Sequence, residues 1–238
     1  MNKKLDFSQP LVVLAPLAGY TDLPFRSVVK KFGADLTISE MISSNALVYK
    51  SARTLKMIEK SPTEDPYFVQ IAGNKPELVR DAVLILNEVE GIDGIDLNCG
   101  CPAPKVFNHG SGSNLLGDLK KLEEILSTVK KYSKKQYTSA KVRIGVNEKI
   151  PVEIGKAVEA CGVDFVSVHG RTRAGKYKAP VDYDAIKQMK EAISIPVIAN
   201  GDIKDYDKAK EVLEYTKADG VMIGRGAIGK PWVFYQLK

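Results

Sequence analysis

The chain has 238 residues, 44% hydrophobic and 27% charged, enough for one large globular domain and without low-complexity tracts that would indicate a disordered or fibrous protein. Lysine and arginine exceed aspartate and glutamate by 35 to 29, a net charge of +6 that suits a polyanionic partner without requiring one. Three cysteines exclude a disulfide framework, and no apolar run approaches the ~20 residues of a membrane span, so a cytoplasmic protein that does not engage the membrane is expected.

The basic start Met1-Asn2-Lys3-Lys4 is followed by Asp6, Ser8, Gln9 and Pro10, which interrupt any signal-peptide apolar region. Short β-branched runs then recur at 11–15, 35–39, 67–72, 94–98, 140–144, 164–169, 196–200 and 220–223, each ending in glycine, proline or a polar residue. Helical spacing fills most of the gaps. The segment 76–88 carries Leu78, Val79, Ala82, Val83, Ile85 and Leu86 on one face, and 119–132, 150–160, 183–192 and 205–215 read the same way. Strands alternating with helices imply parallel pairing through right-handed crossovers, and eight such units close a (β/α)8 TIM barrel, an α/β fold of ~250 residues. An open doubly wound sheet is the competing fold. Its usual Gly-x-Gly-x-x-Gly turn after the first strand is replaced here by Ala15-Pro16-Leu17-Ala18-Gly19. Residues 1–238 are therefore expected to form one domain with no linker. The longest irregular segment, 99–115, follows the fourth strand, on the face where barrel enzymes keep their active sites.

Many polar residues fall at the C-terminal ends of strands: Gln70 on the third, Asn98 and Cys101 after the fourth, and Lys141 and Arg143 on the fifth. His169 ends the sixth, Asn200-Gly201-Asp202 the seventh and Gly224-Arg225 the eighth. Convergence on one rim is the pattern of a barrel active site. Alternation along a strand puts Lys141 and Arg143 on one face, where two cations call for a bound anion or for ion bridges to carboxylates. A Schiff-base lysine at Lys141 is a further reading. The glycines of Asn200-Gly201-Asp202 and Gly224-Arg225-Gly226 let backbone N–H groups approach an oxyanion, and Arg225 adds charge, as in the phosphate grip after strands seven and eight of this fold. Cys101 lies in a glycine- and proline-rich loop, where buried filler, metal ligand, acid and nucleophile compete. With only His109 and His169 as further ligands, a zinc site is not expected. His169 is the better pocket candidate, His109 suits a surface position, and Cys99 and Cys161 are read as structural. Arg171, Arg173, Lys176 and Lys178 form a basic loop that suits either solvent or a phosphate backbone.

Together Ala15-Pro16-Leu17-Ala18-Gly19-Tyr20-Thr21-Asp22, Asn98-Cys99-Gly100-Cys101-Pro102, Lys141-Val142-Arg143, His169-Gly170-Arg171-Thr172-Arg173, Ala199-Asn200-Gly201-Asp202-Ile203 and Ile223-Gly224-Arg225-Gly226 resemble, in order, the tRNA-dihydrouridine synthases, most nearly the bacterial B-type. The resemblance implies a barrel carrying FMN, with Pro16, Leu17 and Ala18 along the ring, Gln70 on its pyrimidine edge and Lys141 near N1 and the C2 carbonyl. It assigns Asn200, Gly201, Asp202, Gly224 and Arg225 to the phosphate, and places His169 beside flavin and substrate. Asn98, Arg143 and His169 would position the uracil. The implied reaction takes hydride from NADPH (or NADH) to FMN and from flavin N5 to uracil C6, with Cys101 protonating C5 as general acid. The target base must leave its stack to reach the mouth. Family members continue into a helical tRNA-binding domain, which is expected to be absent here, since the sequence stops at Lys238 near the end of the eighth helix. A monomer is expected. A flavin-dependent oxidoreductase of a free pyrimidine or other small conjugated substrate is the alternative enzyme, and a non-catalytic RNA-binding barrel the alternative class.

Overall fold

A computed structural model describes residues 4–238, so the first three residues of the basic start lie outside the described region. In chain order the elements are β1 (Leu11–Leu14), α1 (Leu23–Lys31), β2 (Leu36–Ile38), β3 (Ile42–Ser43), α2 (Ser44–Val48), α3 (Ala52–Met57) and β4 (Tyr67–Ala72). They continue with α4 (Pro76–Asn87), β5 (Gly94–Cys99), α5 (Pro104–Phe107), a 3-10 helix at Gly112–Gly117, α6 (Leu119–Tyr132), β6 (Tyr137–Arg143) and α7 (Pro151–Ala160). The last are β7 (Phe165–His169), α8 (Tyr183–Ala192), β8 (Val197–Asn200), α9 (Tyr206–Thr216), β9 (Gly220–Ile223), a 3-10 turn at Arg225–Ala227 and α10 (Val233–Gln236). All pairings are parallel, in the order β2-β1-β9-β8-β7-β6-β5-β4-β3, and β2 also pairs with β4, which closes the sheet into a barrel.

The expected barrel is present, with three local differences. The second stave is split: β2 pairs with Tyr67 and Phe68 of β4, and β3 with Ile71 and Ala72 further along the same strand. Between them Ser39 keeps the edge of β4 satisfied, its N–H donating to the Phe68 carbonyl and its hydroxyl accepting from the Gln70 N–H at 3.0 Å. The fifth stave starts at Tyr137 rather than 140, because Tyr137 stacks on Phe68 inside the barrel and its hydroxyl accepts from the Leu5 N–H. The segment 99–115 is not irregular throughout, for it contains α5 and most of the first 3-10 helix.

Alternation along the staves separates two interiors. Outward residues such as Val12, Leu14, Val69, Ile71, Ile95, Leu97, Val166 and Val168 pack against the helices in one large core. Inward residues split by height. Leu11, Val13, Ala15, Leu36, Ile38, Phe68, Phe165, Ile198 and Met222 form a separate apolar plug. Toward the C-terminal rim the same faces carry Gln70, Asp96, Asn98, Ser139, Lys141, Ser167, His169 and Asn200, so the lumen changes from apolar to polar along its length. Asp22, Asp118, Asp182 and Asp205 cap α1, α6, α8 and α9 through their carboxylates, which fixes where each helix leaves its loop. Among the described residues no helix is long and apolar enough to cross a membrane.

Candidate active site

The polar layer is built from β4, β5 and β6. Gln70 is fully buried; its Nε2 donates to Asp96 Oδ2 at 2.7 Å and its Oε1 accepts from Asn98 Nδ2 at 2.8 Å. Ser139 Oγ donates to the other oxygen of Asp96 at 2.6 Å. Burial pushes the Asp96 carboxyl up to about 6, against the opposing effects of Gln70, Ser139 and Lys141. Asn98 Oδ1 accepts from the N–H groups of Gly100 and Cys101 at 3.2 and 2.9 Å. The Cys101 carbonyl accepts from the N–H and hydroxyl of Ser113 at 3.2 and 2.8 Å, so the half-buried residue is held on both sides. Gly112, at φ +62°, lets these segments close. A Cβ there would lie 2.9 Å from Val106 Cγ1 and 3.0 Å from the Cys101 carbonyl oxygen.

Beside this layer a cavity opens on the C-terminal rim, lined by Ala15, Pro16, Leu17 and Met222 on its apolar side and by Lys141, His169, Arg171, Tyr177, Asn200, Gly201, Asp202, Lys204, Gly224 and Arg225 elsewhere. Asn200 spends its Nδ2 on the Met222 carbonyl and so offers Oδ1 to Lys141 Nζ at 3.0 Å. Burial, reinforced by Arg143, pushes the Lys141 ammonium down to about 8. Burial, then Lys141, Arg143, Arg171 and Arg225, hold His169 far below its ordinary value, so the ring is neutral at pH 7. Asp202 takes two bonds from the buried Arg171 and one from Arg225 at 2.9 Å, and the bond from Arg171 keeps it below the usual carboxylate range.

An anion fits this end of the cavity. Four cations, Lys141, Arg171, Lys204 and Arg225, face one carboxylate. Gly201, at φ +134°, presents bare backbone where a Cβ would meet Val181 at 2.8 Å, and a Cβ on Gly226 would lie 2.7 Å from the Ile203 carbonyl oxygen. The cavity, partly open to solvent, measures about 80 Å³, room for a phosphate group, and Pro16 and Leu17 add apolar lining.

Most of the expected rim residues thus share one cavity wall: Pro16, Leu17, Lys141, His169, Asn200, Gly201, Asp202, Gly224 and Arg225. Ala18 is exposed in the turn beyond it, and Gln70 lies beneath it in the lumen. Asn98 and Arg143 are joined to the wall by strand register, opposite Lys141 and His169. Of the two readings of Lys141 and Arg143, a bound anion or ion bridges to carboxylates, the structure does not show the second. Neither forms an ion pair among the described residues, and Arg143 donates instead to the carbonyls of Gly100, Thr172 and Lys176 at 2.8–2.9 Å, which tie three loop positions to one guanidinium. Arg171, read as part of a basic surface loop, is buried as the anchor of Asp202, and Arg173 stacks on Phe107 at 3.9 Å, while Lys176 and Lys178 remain exposed. Asp96 and Tyr177 escaped the sequence reading. Tyr177 is half exposed, within 4.8 Å of the Arg225 guanidinium, 5.4 Å of that of Arg143 and 6.0 Å of the His169 ring. An aromatic among four basic loop residues was the available signal for it.

Barrels that gather ionisable groups and a glycine-built anion cradle on this rim are enzymes of the TIM-barrel class, and the chain is one of them. Residues 13–238 match the family Dihydrouridine synthase (Dus), and the chain belongs to that family. It is 55% identical over 236 residues to a probable tRNA-dihydrouridine synthase of Helicobacter pylori, covering 98% of this chain and 72% of that protein. It is 44% identical over 228 residues to tRNA-dihydrouridine synthase B of Vibrio parahaemolyticus, covering 95% and 70%. TcOYE with pHBA shares the fold at a TM-score of 0.64 and 11% identity, over 92% of this chain and 86% of that one. Nitroalkane oxidase from Streptomyces ansochromogenes does so at 0.55 and 17%, over 91% and 65%.

Proposed function

We propose that the chain reduces uridine in tRNA to 5,6-dihydrouridine, with FMN as its cofactor and NADPH as reductant. The observation that carries this reading is the adjacency of two differently built regions on one rim: Cys101, its backbone held on both sides, and a cationic cradle around Gly201 and Arg225. Arg225, Gly201, Gly224 and Asn200 would hold the cofactor phosphate, with Asp202 as the buttress that orients Arg225, while Pro16, Leu17 and Ala18 border the ring and Gln70 and Lys141 approach its polar edge. Bound FMN would supply the hydride that uracil C6 accepts.

The chain's own residues carry the rest. Cys101 donates the proton to C5, and backbone bonds to Asn98 and Ser113 hold the residue that carries the thiol. Asn98, Arg143 and the neutral His169 border the place where uracil would lie, and His169, whose Nε2 accepts from Arg171 at 3.2 Å, keeps its proton on Nδ1 as a donor. Lys141 keeps a positive charge beside developing negative charge in a site of low polarity. Exposed Lys176 and Lys178 lie on the loop after β7, beside the mouth, where a polynucleotide backbone would pass. On this reading the protein acts in the cytoplasm with its substrate. Incubation of an unmodified tRNA transcript with the protein, FMN and NADPH tests it: uridines should gain two hydrogens, and free uridine should react far more slowly. Equal rates on free uridine would replace tRNA by a small-molecule substrate.

A further inference from the structure

The buried bonds beneath Cys101 form a chain with a direction. An ionised carboxylate only accepts hydrogen bonds, so Asp96 Oδ2 obliges Gln70 to present Nε2 to it at 2.7 Å. Gln70 must then turn Oε1 toward Asn98, which answers with Nδ2 at 2.8 Å and is left with Oδ1 facing the Gly100 and Cys101 N–H groups. Two side-chain amides, each able to flip, are thereby held in one state by an acceptor at the lower end and donors at the upper end. Gln70 and Asp96 are fully buried and Asn98 nearly so, which leaves little water to substitute for a wrongly turned amide. Ser139 steadies the second oxygen of Asp96 at 2.6 Å without joining the chain.

We infer that Asp96 is a positioning residue for uridine reduction: it sets the sense of the Gln70–Asn98 chain and through it the placement of the Cys101 backbone. The inference rests on the functional reading above for the role of Cys101, and adds a residue that touches neither cofactor nor base. With Asp96→Asn the lower end can present either a carbonyl or an amine, and the amine orientation propagates upward until an Asn98 NH2 confronts the two backbone N–H groups. Adding Gln70→Glu restores a single sense, because a carboxylate at position 70 accepts from the amides on both sides of it and returns the missing negative charge.

Hydrogen exchange at the Gly100 and Cys101 amides of the full chain reads this directly. D96N should speed both roughly three- to tenfold, about the worth of one net hydrogen bond, with β7 amides unchanged. D96N/Q70E, with two core changes, should be better protected than D96N, and Ser139→Ala should match the wild type. Wild-type protection in D96N, or a double variant exchanging as fast as the single one, overturns the inference. Should D96N not fold, the double variant carries the test alone: wild-type protection supports the chain and its loss overturns it. Exchange needs neither flavin nor tRNA, so a chain that fails to reduce uridine would sink the functional reading and with it the role in reduction, while Asp96 would still set the sense of the Gln70–Asn98 chain.

Discussion

Removing the Cys101 thiol separates the two halves of the proposed reaction. Cys101→Ala should lower uridine reduction by about 10²–10⁴, the usual worth of a general acid, while NADPH still bleaches bound flavin at the wild-type rate. Full uridine reduction by this variant would remove the acid assignment. Lys141 gives a pH dependence with a definite sign. Its ammonium is pushed down to about 8 from 10.5, so it is charged below about 8 and neutral above. Flavin bleaching by NADPH, which does not need Cys101, should slow as pH rises through about 8, and Lys141→Met should be slow throughout and lose that limb. Between about 8 and 10.5 the folded chain binds fewer protons here than the unfolded one, so this group's contribution to stability rises with pH across that window. A flat wild-type profile through pH 8 would contradict the assignment. Lys141 was legible because alternation on a short strand fixes which face a side chain takes. Asp96 was not, because attention to strand ends stops at Asn98, whereas Asp96 lies one inward position deeper and owes its importance to partners on two other strands.

At the scale of elements, the join between α1 and the segment before β4 depends on a buried pair. Arg26 Nε meets Glu64 Oε1 at 2.7 Å, with the side chains 1% and 0% exposed, while Thr37, Ser61 and the carbonyls of Thr21 and Glu59 complete the set. Glu64→Ala leaves the guanidinium buried without its counter-charge and should cost about 3–5 kcal/mol in urea unfolding. A loss under ~1 kcal/mol would show that the pair is dispensable. The loop carrying Cys101 depends on Gly112. Gly112→Ala combines φ +62° with three contacts near 3 Å, so it should slow uridine reduction while leaving NADPH-driven bleaching intact. Equal slowing of both steps would place Gly112 outside the Cys101 loop's function. The long periodic helices, α4 and α6 to α9, could be read because an amphipathic face is a local signal. The Arg26–Glu64 pair spans 38 residues and has no local signature. Nor does the split of β2 from β3, which follows from Ser39 supplying the edge of β4.

For the whole molecule, eight alternating units left few folds to consider, and ordered motifs along the chain led to the family that residues 13–238 match. What could not be read was the vertical division of the lumen, since an apolar plug beneath a polar layer exists only once eight staves are in register. That division gives the site its setting: a rigid floor, a buried polar network above it and a cationic rim open to solvent. Contacts from Lys176 and Lys178 to phosphates should make tRNA binding salt-dependent, the slope in log salt falling by roughly 0.7–0.9 for each lysine replaced, and an unchanged slope would place the tRNA elsewhere. The central claim is tested most directly by anaerobic titration. Addition of NADPH to the FMN-loaded protein should bleach the flavin absorbance, and an unmodified tRNA transcript should then restore it with dihydrouridine formed in equal amount. A flavin that bleaches but is not reoxidised by the transcript, or a protein that binds no flavin, would contradict the account.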